Sequence, residues 1–433
     1  FENVMEQLDI QINLGAQGGE SFTVTIKELD DFHPDHLFES LAVFQRLRQL
    51  RRQLNNPASF QAAANEIQGW LVETEAAIPE TMNTDTQISN TRSSGGLLDS
   101  ILDSAPKVSS SQQSGLLVDQ LIAEVVRPYI VEAEDPNKEA YIQAVDNALT
   151  DQMRAILHHP NFQEIESAWR DLYFLVRRLE TGSQLKLFLL DSDKNAAQEM
   201  LANVTSHQPD IQLSLVVGHY AFSPRVEEID MLTTLGSISQ QCNAPFFAAA
   251  DSGFVGLEHF ADDLGPEEWP AELSTDIEQH WNELRRSSAA SYIALTLPRF
   301  IGRYPYGKKS GPVDSFSFEE FSQLPVHEHY LWSNGATLLA YMIANAFSKD
   351  GWQLNPNEQN RVGGLPTHHY EDDDGERVMK PCAEINLTSR GSEMMTNRGL
   401  IPIFSVRNED SVQVGKIASI AVERKLKGRW VNP

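Results

Sequence analysis

Apolar and polar residues alternate along Leu8, Ile10, Ile12 and Leu14, and again along Phe22, Val24 and Ile26. A period of two predicts half-buried strands, and Gly15-Ala16-Gln17-Gly18-Gly19 between them predicts a turn. The period then changes. From Pro34, leucine or phenylalanine recurs at Leu37, Leu41, Phe44, Leu47, Leu50 and Leu54, the stripe of one helix. Pro34 suits its first turn, where the fixed φ of proline is already helical. Asn55-Asn56-Pro57 closes it, and a second helix is predicted from Ala58 to about Val72. Two strands and two helices make a sheet too small to stand well alone. Its edges are therefore expected to pair with the rest of the chain or with a neighbouring copy.

From about Glu73 to Gly115 the pattern lapses into Ser, Thr, Asn and Gln, the composition of a flexible linker. Inside it Leu97, Leu98, Ile101 and Leu102 form an apolar island, which reads as a transient helix or as a docking motif. Order resumes at Leu116. Leu117, Leu121 and Val125 mark a helix ending at Pro128. Asp135-Pro136 opens another, with Tyr141, Val145, Leu149, Ile156 and Leu157 on its apolar side. Pro160 opens a third, with Phe162, Ile165, Trp169, Leu172, Val176 and Leu179 as its stripe and Thr181-Gly182 as its end.

Beyond that point LKLFLL, LSLVVGHYAF, PFFAAAD, YIALTLPRF, EINLT and IPIFSV read as strands, with helices between them, notably Val226 to Cys242 and Gly335 to Phe347. Strands too apolar to be half exposed, separated by helices, predict an α/β fold with a covered, mostly parallel or mixed sheet. The expected organisation is a small α+β segment over 1–72, a linker over 73–115 and a large α/β domain over 116–433. No fixed-period repeat is present.

Charge and composition narrow the function. The 433 residues carry a net charge of −27. That balance opposes nucleic acid or anionic lipid as the main partner and favours neighbours with basic faces. Cys242 and Cys382 are too few for a disulfide framework and read as small buried hydrophobes in a reducing, cytoplasmic compartment. No run of about 18 apolar residues would insert in a membrane, and no signal peptide is visible. The chain begins at Phe1 rather than Met, so further residues are expected upstream.

Every catalytic template tested is incomplete. Gly302-Arg303-Tyr304-Pro305-Tyr306-Gly307-Lys308-Lys309 approaches a phosphate-binding loop, but Lys309 stands where Ser or Thr would hold magnesium. Pro305 also removes a backbone donor. A nucleotide-binding enzyme using this loop is the rival reading, against a strand-end loop with exposed cations. His158-His159, His327 with His329, and His368-His369 lack the spacing of a zinc site. Gly236-Ser237 lacks the second glycine of a nucleophile elbow. Glu371-Asp372-Asp373-Asp374-Gly375 reads as a solvated hairpin turn rather than a calcium loop. No catalytic residue, metal or cofactor is expected. Arg46, Arg48, Arg51 and Arg52 form a basic patch, read as a solvated face or a contact for an acidic neighbour.

Several long stretches carry a family resemblance: ILHHPNFQEIESAWRDLYFLVRR, NAPFFAAAD, YIALTLPRFIGRYPYG, HEHYLWSNGA and NRGLIPIFSVRN. In this order they resemble the large sheath subunit of the type VI secretion system over 116–430. NVMEQLDIQINL followed by IKELDDFHPDHLFESLAVFQRLRQLRRQL resembles the later part of the small sheath subunit, with Leu29, Asp31, Phe32 and Pro34 at the helix start. The resemblance implies a fusion of the two subunits. It implies a structural protomer that polymerises around an inner tube and drives it outward on contraction. The implied partners are copies of itself, an inner-tube protein, a baseplate docked at the membrane and an AAA+ unfoldase. A sheath-derived scaffold that does not contract is a further alternative. Family members continue beyond LKGRW with elements for inter-subunit linkage and unfoldase recognition. Candidate inter-subunit contacts are Leu8, Ile10, Ile12, Arg46, Arg48, Arg51, Arg52, Arg303, Lys308 and Lys309.

Overall fold

The computed structural model describes the chain except residues 16–21, 76–125, 127–137, 208–210, 261–268, 270–271, 322–323, 373 and 431–433. The predicted glycine turn, the linker with its apolar island, and nearly all of the helix predicted over 116–128 lie outside the described residues. The chain divides into two compact units, Phe1–Glu166 with Pro305–Gln323, and Ser167–Tyr304 with Leu324–Pro433.

The first unit opens with α1 (Glu2–Leu8), so Leu8 ends a helix rather than starting a strand. Asp9 takes a left-handed φ of 45°, which stops the helix, and β1 (Ile10–Leu14) begins after it. β1 pairs antiparallel with β2 (Phe22–Ile26), with Ile12 opposite Val24 and Ile10 opposite Ile26. The alternation is real: Ile12, Leu14, Val24 and Ile26 are buried. Among the described residues no third strand joins them.

The single helix expected after Pro34 is two, α2 (Pro34–Ser40) and α3 (Ala42–Asn55). Leu41 between them is extended, at φ −79° and ψ 137°. The break keeps the leucine stripe buried and brings Phe38 into it, stacked 4.7 Å from Phe316. Carbonyls freed by the break find side-chain donors, Arg48 to Glu39 at 3.0 Å and Gln45 to Ser40 at 3.4 Å. α4 (Phe60–Glu75) follows, and α5 (Lys138–Leu157) packs on α3 with Tyr141, Val145, Leu149 and Ile156 buried. Phe162, near the start of α6 (Pro160–Arg178), meets Phe32 edge to face at 5.5 Å.

α6 departs from its predicted stripe. Val176 is exposed, while Glu166, Ser167 and Asp171 are buried. The second unit continues with α7 (Ala197–His207), β3 (Val216–Phe222), α8 (Val226–Cys242), β4 (Phe246–Ala250), α9 (Thr275–Arg286) and β5 (Ile293–Leu297). A short ribbon, β6 (Phe300–Ile301) with β7 (Trp332–Ser333), precedes α10 (Gly335–Asp350). Next come β8 (Arg361–Val362) and the hairpin β9 (His368–Glu371) with β10 (Arg377–Lys380), whose acidic turn was expected. α11 (Ser389–Arg398), β11 (Ile401–Ser405) and β12 (Val412–Val414) complete the described elements.

Six strands form one sheet in the order β3-β4-β5-β11-β12-β8. The first four run parallel and β12 runs antiparallel to both of its neighbours, β11 and β8, so the α/β fold with a mixed, mostly parallel sheet is observed. Successive strand residues point to opposite faces. Accordingly Phe246, Ala248, Ile293 and Leu295 pack with Ile229, Leu232 and Leu235 of α8 and Trp281 of α9. Phe247, Ala294, Ile401 and Ile403 pack on the other side with Leu338, Leu339, Met342 and Ile343 of α10. Gly236 lets α8 approach closely, since a Cβ there would lie 2.6 Å from Ile293 Cδ1.

Two predicted strands are absent. LKLFLL forms no ladder, and Leu187, Phe188, Leu189 and Leu190 are exposed. Near it, β3 is engaged by side-chain bonds instead: Tyr220 Oη donates to the Ser192 carbonyl at 2.7 Å, and Lys194 Nζ to the Ala221 carbonyl at 2.6 Å. EINLT, residues 384–388, forms no ladder, and only Ala383 just before it makes an isolated bridge to Phe300. Its Glu384 is buried against charged partners, and Thr388 caps α11 by accepting from Gly391 N–H at 3.3 Å.

Candidate functional site

The loop that resembled a phosphate cradle is already filled. Within the first unit, Gly307 and Gly311 form an antiparallel bridge, with a tight turn from Lys308 to Ser310. Tyr306 N–H donates to Glu320 Oε2 at 2.7 Å, and Lys308 N–H to Glu319 Oε1 at 3.2 Å. A Cβ on Gly307 would stand 2.2 Å from Glu319 Oε2. A phosphate site needs bare N–H groups leading into a helix. Here carboxylates take those donors, and a turn follows. Lys308 and Lys309 are exposed, but Arg303 is buried and donates to the Tyr304 carbonyl at 3.2 Å, correcting the expectation of an exposed cation there.

A serine, a histidine and an aspartate do meet in the second unit. Ser167 Oγ lies 3.4 Å from His219 Nε2, and Asp171 Oδ2 lies 2.8 Å from the same nitrogen. A hydrolytic triad needs the acid on one ring nitrogen and the nucleophile on the other. Ser167 Oγ donates to the Trp332 carbonyl at 2.8 Å, and Asp171 accepts from Asn334 N–H at 2.8 Å. Asn334 in turn caps α10 by accepting from Ala336 N–H at 2.9 Å. The cluster clamps the start of α10, and its hydroxyl is committed to that clamp. Gly236, the elbow look-alike, lies inside α8 rather than on a strand-to-helix turn.

Glu384 forms the other buried polar centre. Arg299 Nε donates to its two oxygens at 3.2 and 3.1 Å, and His327 Nε2 lies 3.0 Å away. Burial alone would raise this carboxyl. The Arg299 charge and the hydrogen bonds from His327 and Arg299 outweigh burial and hold it at about 2. The remaining histidine pairs are similarly absorbed: His158 sits beside Glu320 at 3.4 Å, and His368 Nδ1 is 2.7 Å from the Tyr330 hydroxyl. Glu28, Asp31 and His36 cluster closely enough for a cation. Their carboxylates, however, form a reciprocal cap of the turn Leu29–Phe32, with Asp31 accepting from Lys27 and Glu28 N–H at 2.7 and 3.0 Å. Both cysteines are free. Burial pushes the Cys382 thiol up to about 11, away from reactivity.

The basic patch has a more open geometry. Arg46 pairs with Glu66 on the neighbouring helix α4. Arg51 pairs with Asp146 through Nε and, at 3.0 Å, Nη2. Arg48 lies 5.1 Å over the Phe38 ring. Arg52 is exposed, and its side chain makes no hydrogen bond or ion pair among the described residues. Arg48, Arg51 and Arg52 together line a groove of about 400 Å³ with Phe38, Asn56 and Phe316. Of the apolar candidates, Ile12 is buried, whereas Leu8 and Ile10 are half-buried.

Residues 139–214 and 211–420 match the family model described as EvpB/VC_A0108, tail sheath N-terminal domain. This chain belongs to the tail sheath family. The type VI secretion system sheath protein TssC1 of Pseudomonas aeruginosa is 33% identical over 293 residues, 63% of this chain. The chain spans 59% of that relative's length. The sheath-family match covers the six-stranded sheet, the α10 clamp and the Glu384 centre, none of which offers a reacting group in working geometry. Sequence reasoning missed those two polar centres. Their only local signal was Glu, Ser and Asp on the expected apolar side of α6, and a Glu opening a supposed strand. Among the described residues no helix is long and apolar enough to cross a membrane.

Proposed function

We propose that this chain is a protomer of a type VI contractile sheath, a structural protein that performs no chemistry. The observation that carries this reading is the tail sheath match across 139–420, which includes the loop that most resembled a nucleotide site. The closure of that loop by Glu319 and Glu320 supports it. Many copies stack as a helical tube around an inner-tube protein, docked in the cytoplasm on a baseplate and recycled by an AAA+ unfoldase. Work comes from the difference in inter-subunit contacts between two assembled states. The β1–β2 ribbon and the α2–α3 pair stand for the small sheath subunit, fused to the large one across 73–115. β1 and β2 complete their hydrogen bonding on a neighbouring protomer, because no third strand of the described chain joins them. Electron microscopy and sedimentation of the chain, alone and co-expressed with its inner-tube protein, test the reading. Tubes or rings are expected. A chain that remains monomeric in both settings overturns it.

A further inference from the structure

Two oppositely charged features keep charge free among the described residues. One is the groove lined by Arg48, Arg51 and Arg52. Its cations are largely held in place: Arg51 by Asp146, Arg48 by the Glu39 carbonyl and the Phe38 ring. Among the described residues the Arg52 side chain has no such tie, and it is exposed. The stacked rings of Phe38 and Phe316 form an apolar wall beside the guanidinium groups, which lowers local screening.

The other feature is the turn of the β9–β10 hairpin. Its shape is fixed from within by Asp372. The Asp372 carboxylate accepts from Asp374 N–H at 3.1 Å and Glu376 N–H at 2.8 Å. Asp372 N–H donates to the Glu376 carbonyl at 3.0 Å, and Gly375 closes the turn with a φ of 80°. This arrangement leaves Glu371, Asp374 and Glu376 exposed, without an ion pair among the described residues. A rigid acidic tip and a pre-arranged cationic groove lose little conformational entropy on meeting.

We propose that the arginine groove seats the acidic β9–β10 turn of a second copy of this chain, with Asp374 and Glu376 against Arg52 and Arg48. The inference deepens the sheath-protomer reading and rests on it. Groove and tip are different patches, so the contact is head to tail. Contacts of that kind build rings or open helical filaments rather than closed pairs. It also places positive charge against negative where copies with a net charge of −27 would otherwise repel.

Charge exchange tests the contact. Arg52→Glu reverses the groove at its untied cation. Asp374→Lys with Glu376→Lys reverses the tip without touching Asp372. Each variant of the chain is expected to keep the wild-type melting temperature as a monomer. Each is expected to raise the concentration needed for polymer, seen by sedimentation and electron microscopy, on the order of tenfold. Mixing the two variants places reversed groove against reversed tip, and intact groove against intact tip, so the mixture should polymerise where neither does alone. The chain carrying both reversals should also recover. If wild-type chain polymerises and both reversed variants do so equally well, the groove–tip contact is wrong while the sheath reading stands. If the single variants fail and neither mixture nor combination recovers, the two patches do not meet, and the contact is again overturned. Wild-type chain that never polymerises overturns the sheath reading itself.

Discussion

The six-stranded sheet and the β1–β2 ribbon use the same alternation to opposite ends. In the sheet both sets of side chains are buried, Phe246 and Ala248 under α8 and α9, Phe247 and Ala294 under α10. In the ribbon one set is buried and the other faces out, with Asn13 and Thr23 bonded across the pair at 2.8 Å. The sheet's four parallel strands are braced by helices on both faces, so its stability is internal. Each of the ribbon's two strands has an edge with no strand beside it among the described residues, although the Asn13 carbonyl accepts from Asn161 Nδ2 at 3.2 Å. A covered sheet can be a rigid block, whereas an open ribbon is suited to making contacts beyond itself.

The largest expected effect lies in the sheet. Phe247→Ala removes a fully buried ring and should cost about 3–5 kcal/mol, read as a lower denaturation midpoint. If it costs less than about 1 kcal/mol, the sheet is not the stable block described.

Next comes the charged support at the end of β5. Arg299→Met takes the main partner from buried Glu384 and should cost about 2–4 kcal/mol, at the lower end because the Arg299 side chain is 44% exposed. The pH dependence has a definite sign. The Glu384 carboxyl sits at about 2 in the folded protein, below its ordinary 4.5. Its stabilisation is therefore complete above about pH 4.5 and is lost as pH falls towards 2. Arg299→Met moves the folded value upward and removes most of that loss. The stability gap between variant and wild type should narrow between pH 5 and pH 2. A gap that stays constant on acidification would show that Arg299 does not set the carboxyl.

The ribbon should respond in assembly more than in stability. Ile10→Pro removes a ladder donor and forces Asp9 out of its left-handed φ of 45°, because proline disfavours such a neighbour. About 1–2 kcal/mol of monomer stability should be lost, while tube formation fails. An Ile10→Pro chain that still forms tubes refutes pairing between protomers.

The smallest effect belongs to the Lys308 turn. Lys308→Ala should change stability by less than about 0.5 kcal/mol, as for other exposed positions. ATP binding by calorimetry should be undetectable in both chains. Binding that the substitution abolishes would restore the nucleotide reading.

What could be read from the chain alone follows the same contrast. Phe246 to Ala250 and Ile293 to Leu297 were legible as strands because burial on both faces makes them almost wholly apolar, with Thr296 as the one polar residue of the two strands. Helices α5, α8 and α10 were legible from their spacing. LKLFLL and EINLT misled because an apolar run reports a tendency to be buried, not the presence of a strand to pair with. The break at Leu41 keeps the leucine spacing intact, so periodicity could not reveal it. β8 and β12, at two and three residues, are too short to show any period. The clamp at α10 joins Asp171 to a backbone 163 positions later, and the Glu384 centre spans 85 positions back to Arg299. Local pattern carries no record of such distant partners. The basic patch was visible as four arginines, but not that three share a groove while Arg46 is tied to Glu66.

The exposed run from Leu187 to Leu190 has a consequence for the protein in solution. Phe188 is 61% exposed, beside three leucines that are 37–48% exposed. At low ionic strength a net charge of −27 keeps such copies apart. At about 0.15 M salt the Debye length shrinks to about 8 Å, and repulsion no longer reaches across the gap between two surfaces. Kosmotropic salts should then favour burial of the apolar run, with amorphous precipitate as the expected outcome. Contacts made by arginine and carboxylate weaken under the same conditions. Ordered polymer and precipitate thus answer to salt with opposite signs, and turbidity alone reports neither.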